Sequence, residues 1–206
     1  MVFIRSVTSN AKDIADLSRP KADADPDKIF THCGIVFRET DKDEWKVYEG
    51  RGRNGQDPLG LAKWQEAEGE GKVQHNVYVR RLADRSVLTV DVLKAMEAKA
   101  SALHHTSYDF AFIWTTDNFV YCSELIWKAY AAALGKNVLK EIHAIGGYFE
   151  GLPKERVAGM IEKLKSTKAR KCWPKEKKDF DAKEKAITPE EIYDSPGLVS
   201  VTDDSL

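Results

Sequence analysis

The stretch CSELIWKAYAAAL, running from Cys122 to Leu134, does most to limit what this chain can fold into. Cys122, Leu125, Ile126, Ala129 and Ala133 recur at helical spacing, and Gly135 supplies a stop. An apolar stripe of this kind must be buried against another element. The chain offers strands for the purpose. FTHCGIVFRET reads as a strand, TDKDE as a turn, and WKVYEGRG as a return strand, which together make a hairpin. VFIRSV at residues 2–7 and NVYVRRL at 76–82 add two more strands. Helical spacing returns at 88–105 through Leu88, Val92, Met96 and Leu103, with shorter helices expected at 8–18 and 60–68. Strands joined by short turns, with helices grouped apart from them, indicate an α+β fold.

The remaining segments are less regular. RPKADADPDK is a polar loop, and YDFAFIW at 108–114 fits a strand or a loop. Residues 150–187 are dominated by Lys and Glu. They read as a solvated helical face, or as a lid, with Cys172-Trp173-Pro174 as a local anchor. TPEEIYDSPGLVSV closes the sequence with a helix start, a turn at Ser195-Pro196-Gly197 and an edge strand. The hydrophobic share of 42% over 206 residues can fill one core, so 1–206 reads as a single domain with an elaboration at about 150–187.

The 32 basic and 33 acidic residues leave a net charge of −1, which gives no basic face for nucleic acid. No apolar run reaches the ~18 residues of a membrane span, so no stable membrane insertion is expected. A basic stretch followed by a long apolar run is missing from MVFIRSVTSNAKD. That points to the cytoplasm, or to a periplasmic or secreted protein whose leader has been removed. The three cysteines, Cys33, Cys122 and Cys172, make no disulfide framework. There is no CxxC or HExxH and the five histidines are scattered, so neither a metal nor a cofactor is expected.

Chemistry gathers on a few residues. A thiol in the first turn of a helix feels the partial positive charge of the backbone N–H groups, which favours thiolate. Cys122 is therefore either a nucleophile or a small hydrophobe on its stripe. His32 lies in an apolar strand and needs a partner there, which suits a general base as well as a satisfied core histidine. Gly34 leaves room on its face, while Cys33 points to the opposite face and reads as a core thiol. Glu49, ending the second hairpin strand, can sit beside His32 and fix its tautomer, provided that the strand register brings it round. Glu124 reads as a cap or ion-pair residue. Tyr121, Gly34 and Ser123 are the substrate-binding candidates.

Taken together, THCGIV, VYEG and YDFAFIW….FVYCSELIWKAY resemble the YiiX/YebB-like group of papain-like cysteine hydrolases, in the NlpC-type superfamily. The resemblance runs from residue 2 to about 135 and again through TPEEIYDSPGLVSV. It implies a circularly permuted papain-like fold, with His32 preceding Cys122, in which a small antiparallel sheet or barrel packs on the nucleophile helix. It further implies Cys122 as nucleophile, His32 as base and Glu49 as the group orienting the histidine. Relatives in this superfamily cut peptide links in peptidoglycan, so the expected substrate is a small peptide amide. Lecithin–retinol acyltransferase relatives share the permuted order, which makes acyl transfer or hydrolysis on a lipid the alternative. A binding module that keeps the cleft without turnover is the reading from outside enzymology, and an intact Cys-His-Glu set weighs against it. The Lys-rich segment at 150–187 departs from the family pattern.

Overall fold

The computed structural model describes residues 1–4, 30–39, 44–52, 56–68, 77–114, 116–135, 138–150 and 152–201. The helix expected at 8–18 and the loop at 19–28 lie outside these residues. Six strands form one antiparallel sheet: β1 (Val2–Ile4), β2 (His32–Glu39), β3 (Glu44–Tyr48), β4 (Leu59–Gly60), β5 (Tyr78–Leu82) and β10 (Leu198–Ser200). Their order across the sheet is β10-β5-β1-β2-β3-β4. The hairpin register pairs Ile35 with Tyr48 and Glu39 with Glu44. The sheet is open rather than closed into a barrel. The tail strand β10 takes the edge beside β5, as its place after a Pro-Gly turn suggests.

Alternation along the strands sends side chains to two faces. On one face Phe3, Cys33, Ile35 and Phe37 meet α2 (Val90–His104) and α3 (Cys122–Leu134) in the main core. On the other, Val2, Ile4 and Val47 close around Trp64 of α1 (Leu61–Glu68). Helix α3 buries Cys122, Leu125, Ile126 and Ala129 as its stripe requires, while Ala133 is only partly buried. The N-cap of α2 is Thr89, whose hydroxyl accepts the Val92 N–H.

YDFAFIW turns out to be mostly loop. Only Ser107–Tyr108 (β6) is strand, paired in parallel with Phe119–Val120 (β7), which leads into α3. The cause is Asp109, whose buried carboxylate accepts the N–H groups of Ala111 and Ile113 at 2.7 and 2.6 Å. With those donors taken, the strand ladder cannot continue. The Lys/Glu-rich elaboration is more ordered than its composition suggests. It contains α4 (Lys154–Leu164), α5 (Thr167–Arg170) and β9 (Lys185–Ala186), the last paired with β8 (His143–Ala144). Cys172 anchors it, buried against Ala111, Ile113 and Ala169. α6 (Pro189–Tyr193) follows, with a Thr188/Glu191 capping box. None of the described helices is long and apolar enough to cross a membrane.

Candidate active site

His32 opens β2 and Glu49 lies one residue beyond β3, so the hairpin brings them to the same end of the sheet. His32 Nε2 lies 2.5 Å from Glu49 Oε2. Three further groups hold Glu49. Trp64 Nε1 donates to the same carboxylate oxygen at 2.7 Å, and the Trp64 ring stacks on the His32 ring. The Arg51 guanidinium stands 3.8 Å away. His104 Nδ1, from α2, sits 3.1 Å from the Glu49 N–H and 3.0 Å from its carbonyl oxygen, bonding one or the other according to tautomer.

Cys122 approaches this pair from α3. The helix start lies directly over Gly50: a Cβ there would stand 2.6 Å from the carbonyl carbon and oxygen of Tyr121 and 3.0 Å from the Cys122 nitrogen. The residue after Glu49 must therefore be glycine for the thiol to reach the histidine. Cys122 packs in the main core with Cys33 and lies within electrostatic reach of His32. Interaction with Cys33 first, and then the charge of His32, hold the thiol well below its ordinary pKa despite its burial. Burial alone would lower His32, but Cys122 and Glu49 outweigh it and raise the imidazole to about 10. Burial likewise works against the Glu49 carboxylate, yet His32, Arg51 and Trp64 hold it well below the usual range. These directions favour thiolate, imidazolium and carboxylate at the three residues, while burial favours the protonated Cys33 thiol.

The other sequence candidates have internal duties. Gly34 is buried in the sheet, where a Cβ would meet Val47 Cγ1 at 2.6 Å, which sets it apart from any open cleft. The Tyr121 hydroxyl accepts the Ile187 N–H at 3.1 Å, and the Ser123 hydroxyl donates to the Ile187 carbonyl at 2.7 Å. Both residues line a small cavity beside Cys122 all the same. Glu124 is the cap and ion-pair residue expected, accepting the Tyr121 N–H and pairing with Lys128 at 2.8 Å. Burial pushes its carboxyl up to about 8. Trp64, His104 and the contact of Cys33 with Cys122 were not foreseen from the sequence. Trp64 and His104 are a buried indole N–H and a buried imidazole in helices, and each needed a polar partner.

Among the described residues no group of three or more His, Cys, Asp or Glu side chains is placed to hold a metal ion. The chain is similar over 177 residues to the protein YiiX of Escherichia coli (strain K12), at 27% identity, covering 84% of this chain and 73% of that one. Its fold matches the crystal structure described as metalloprotein YiiX from Escherichia coli O157:H7. The TM-score is 0.68 at 23% identity, over 98% of this chain and 93% of that one. A family model described as permuted papain-like amidase enzyme, YaeF/YiiX, C92 family, matches residues 1–202. With His32 leading and Cys122 following on one α+β frame, this chain belongs to the permuted papain-like amidase family and is an enzyme of the cysteine hydrolase class.

Proposed function

We propose that this chain hydrolyses a peptide amide through Cys122 as nucleophile, His32 as acid and base, and Glu49 as the residue that orients the histidine. The observation carrying the proposal is the His32 imidazole bonded to Glu49 Oε2 at 2.5 Å, with the helix start that bears Cys122 lying over Gly50, the residue next to Glu49. The thiolate attacks the amide carbon, forming a C–S bond while the carbonyl pair moves onto oxygen. N–H groups in the first turn of α3 face that developing charge. As the C–N bond breaks, the His32 imidazolium gives its proton to the departing nitrogen, leaving a thioester and neutral imidazole. Water then loses a proton to His32 and attacks the thioester, releasing the acid and restoring the ion pair. Trp64 and His104 support this by fixing Glu49 at its side chain and its backbone. The scheme needs no cofactor. Peptides of the kind found in peptidoglycan are the first substrates to try, on the likeness to peptide-cleaving relatives.

The test is the pH dependence of Cys122 alkylation by iodoacetamide, read by peptide mass spectrometry, alongside peptide-amide hydrolysis. The proposal expects fast alkylation well below the 9.0 of a free thiol. It also expects His32→Ala to abolish that low-pH reactivity and Cys122→Ala to abolish hydrolysis. An ordinary thiol titration unchanged by His32→Ala would defeat it.

A further inference from the structure

The small cavity beside Cys122 is lined by Phe112, Tyr121, Ile145, Tyr148 and Ile187, with Pro189 at its margin. The hydroxyls on these walls are turned to protein partners. Tyr121 takes the Ile187 N–H, while Tyr148 donates to Glu191 Oε2 at 2.6 Å and lies 3.2 Å from the Ala186 carbonyl. What remains facing inward is aromatic ring and aliphatic carbon. The cavity measures about 20 Å³. A cavity needs roughly 10–15 Å³ to hold one water. The space thus accepts a methyl-sized group and is far too small for a fatty acyl chain.

Phe112 marks this as a built feature. Its φ is +52°, a conformation that bulky residues rarely adopt. Strain of this sort persists only where the surroundings impose it. Here Asp109 imposes it, gripping the N–H groups on either side of Phe112. The Phe112 ring is thereby set 4.9 Å from the Tyr121 ring, centroid to centroid, at the cavity wall. Ile145 shortly precedes the Lys/Glu-rich segment and Ile187 ends it, so the cavity is lined from both ends of that elaboration.

We infer that this cavity is the specificity pocket for the acyl side of the substrate, and that it selects a small aliphatic side chain, of alanine size, on the residue whose carbonyl Cys122 attacks. That residue stays bonded to the thiol in the acyl-enzyme, and its side chain is the part that must fit a cavity sharing a wall with Cys122. This rests on the proposed amidase reading. A long acyl chain does not fit this cavity.

The experiment compares inactivation of the whole chain by chloromethyl ketones of glycine, alanine, leucine, phenylalanine and lysine, each rate divided by the iodoacetamide rate at the same pH. One methylene in an apolar pocket is worth about 10–200-fold. The alanyl reagent is therefore expected to exceed the glycyl by at least ~10-fold, and the leucyl, phenylalanyl and lysyl reagents to fall below the alanyl. Phe112→Ala, which opens the wall at a partly exposed site, moves the optimum toward leucine. Ile187→Ala does the same from the opposite wall, giving a second variant should the first fail to fold. A flat ranking, or one led by phenylalanine or lysine, overturns the pocket. So does an unchanged optimum in a folded variant. If iodoacetamide shows no low-pH reactivity while the alanyl preference stands, the amidase reading falls and the pocket survives.

Discussion

Replacing Gly50 with alanine tests whether the backbone crossing at the site governs its chemistry. The added Cβ would lie 2.6 Å from Tyr121 carbonyl atoms, where ordinary contact begins near 3.4 Å. The neighbours are backbone, so no side chain can swing aside, and the helix start must retreat by most of an ångström. Overpacking of this kind costs about 1–3 kcal/mol, which for a chain of this size lowers Tm by roughly 2–12 °C. The reactive pair should suffer more, since a displacement of ~1 Å costs on the order of 10²-fold in rate. The assay is the second-order rate constant for Cys122 alkylation at pH 6 and at a temperature where circular dichroism shows the variant folded. The expected result is a fall of about 10–100-fold, with the thiol titrating closer to its free value. A folded Gly50→Ala protein that keeps the parent rate and pH profile would refute the reasoning, because the helix start would then not depend on that crossing.

Trp64→Phe keeps the ring over His32 and removes the N–H that holds Glu49. A hydrogen bond to a charged group is worth about 1.5–3 kcal/mol, so kcat for an accepted peptide amide should drop roughly tenfold or more with KM little changed. Equal loss in KM instead would mean that Trp64 only shapes binding. Asp109→Asn leaves one of the loop N–H donors without its anionic acceptor, at a cost of about 1–3 kcal/mol. The outcome is a Tm lowered by several degrees in differential scanning calorimetry, together with a broadened preference among the chloromethyl ketones. The ion pair also sets how stability varies with pH. A thiol whose folded pKa lies below its unfolded 9.0 contributes stability that is full above pH 9 and is lost as pH falls through the folded value. A histidine raised from 6.5 to about 10 contributes stability that is full below 6.5 and lost as pH rises through 10. Between about 6.5 and 9 the two slopes cancel in the parent. Cys122→Ala removes the thiol slope together with the larger share of what raises His32, so the stability gap between parent and variant should widen with pH across that window only as far as Glu49 still holds the imidazolium, by at most about 1.4 kcal/mol per pH unit. Urea titrations at intervals of one pH unit would show a constant gap if the pair were neutral.

The nucleophile helix was readable because its apolar stripe and terminal glycine are local signals, and the hairpin because its turn residues sit between alternating strands. The order of His32 before Cys122 carried the permutation. What stayed hidden depended on non-local register. Whether Glu49 meets His32 rests on how Glu39 and Glu44 pair, and a slip of one residue would have turned the carboxylate away. Trp64 and His104 come from two other helices, and periodicity reports which face is buried without naming the polar partner. In YDFAFIW the aromatic residues argued for strand, and the acid among them was the warning, since a buried carboxylate demands donors and took them from the ladder. The mixed charge of 150–187 masked Met160 and Leu164, which α4 packs into a cluster with Ile145 and Ala186.

The parts that finish the site come late in the chain. The ring of Tyr193 in α6 packs 4.2 Å from that of Phe30 and 5.3 Å from that of Phe3. Glu190 accepts the Phe30 N–H at 2.9 Å, two residues before His32, and Ile187 ties down Tyr121, the neighbour of Cys122. On a ribosome adding roughly 5–20 residues per second, the thiol-bearing helix emerges seconds before the segment that closes around it. During that interval the histidine strand lacks its C-terminal clamp and the cavity lacks a wall. A nascent chain therefore carries the makings of a hydrolase without its assembled chemistry, and competence to cut arrives only once the segment through α6 has been made.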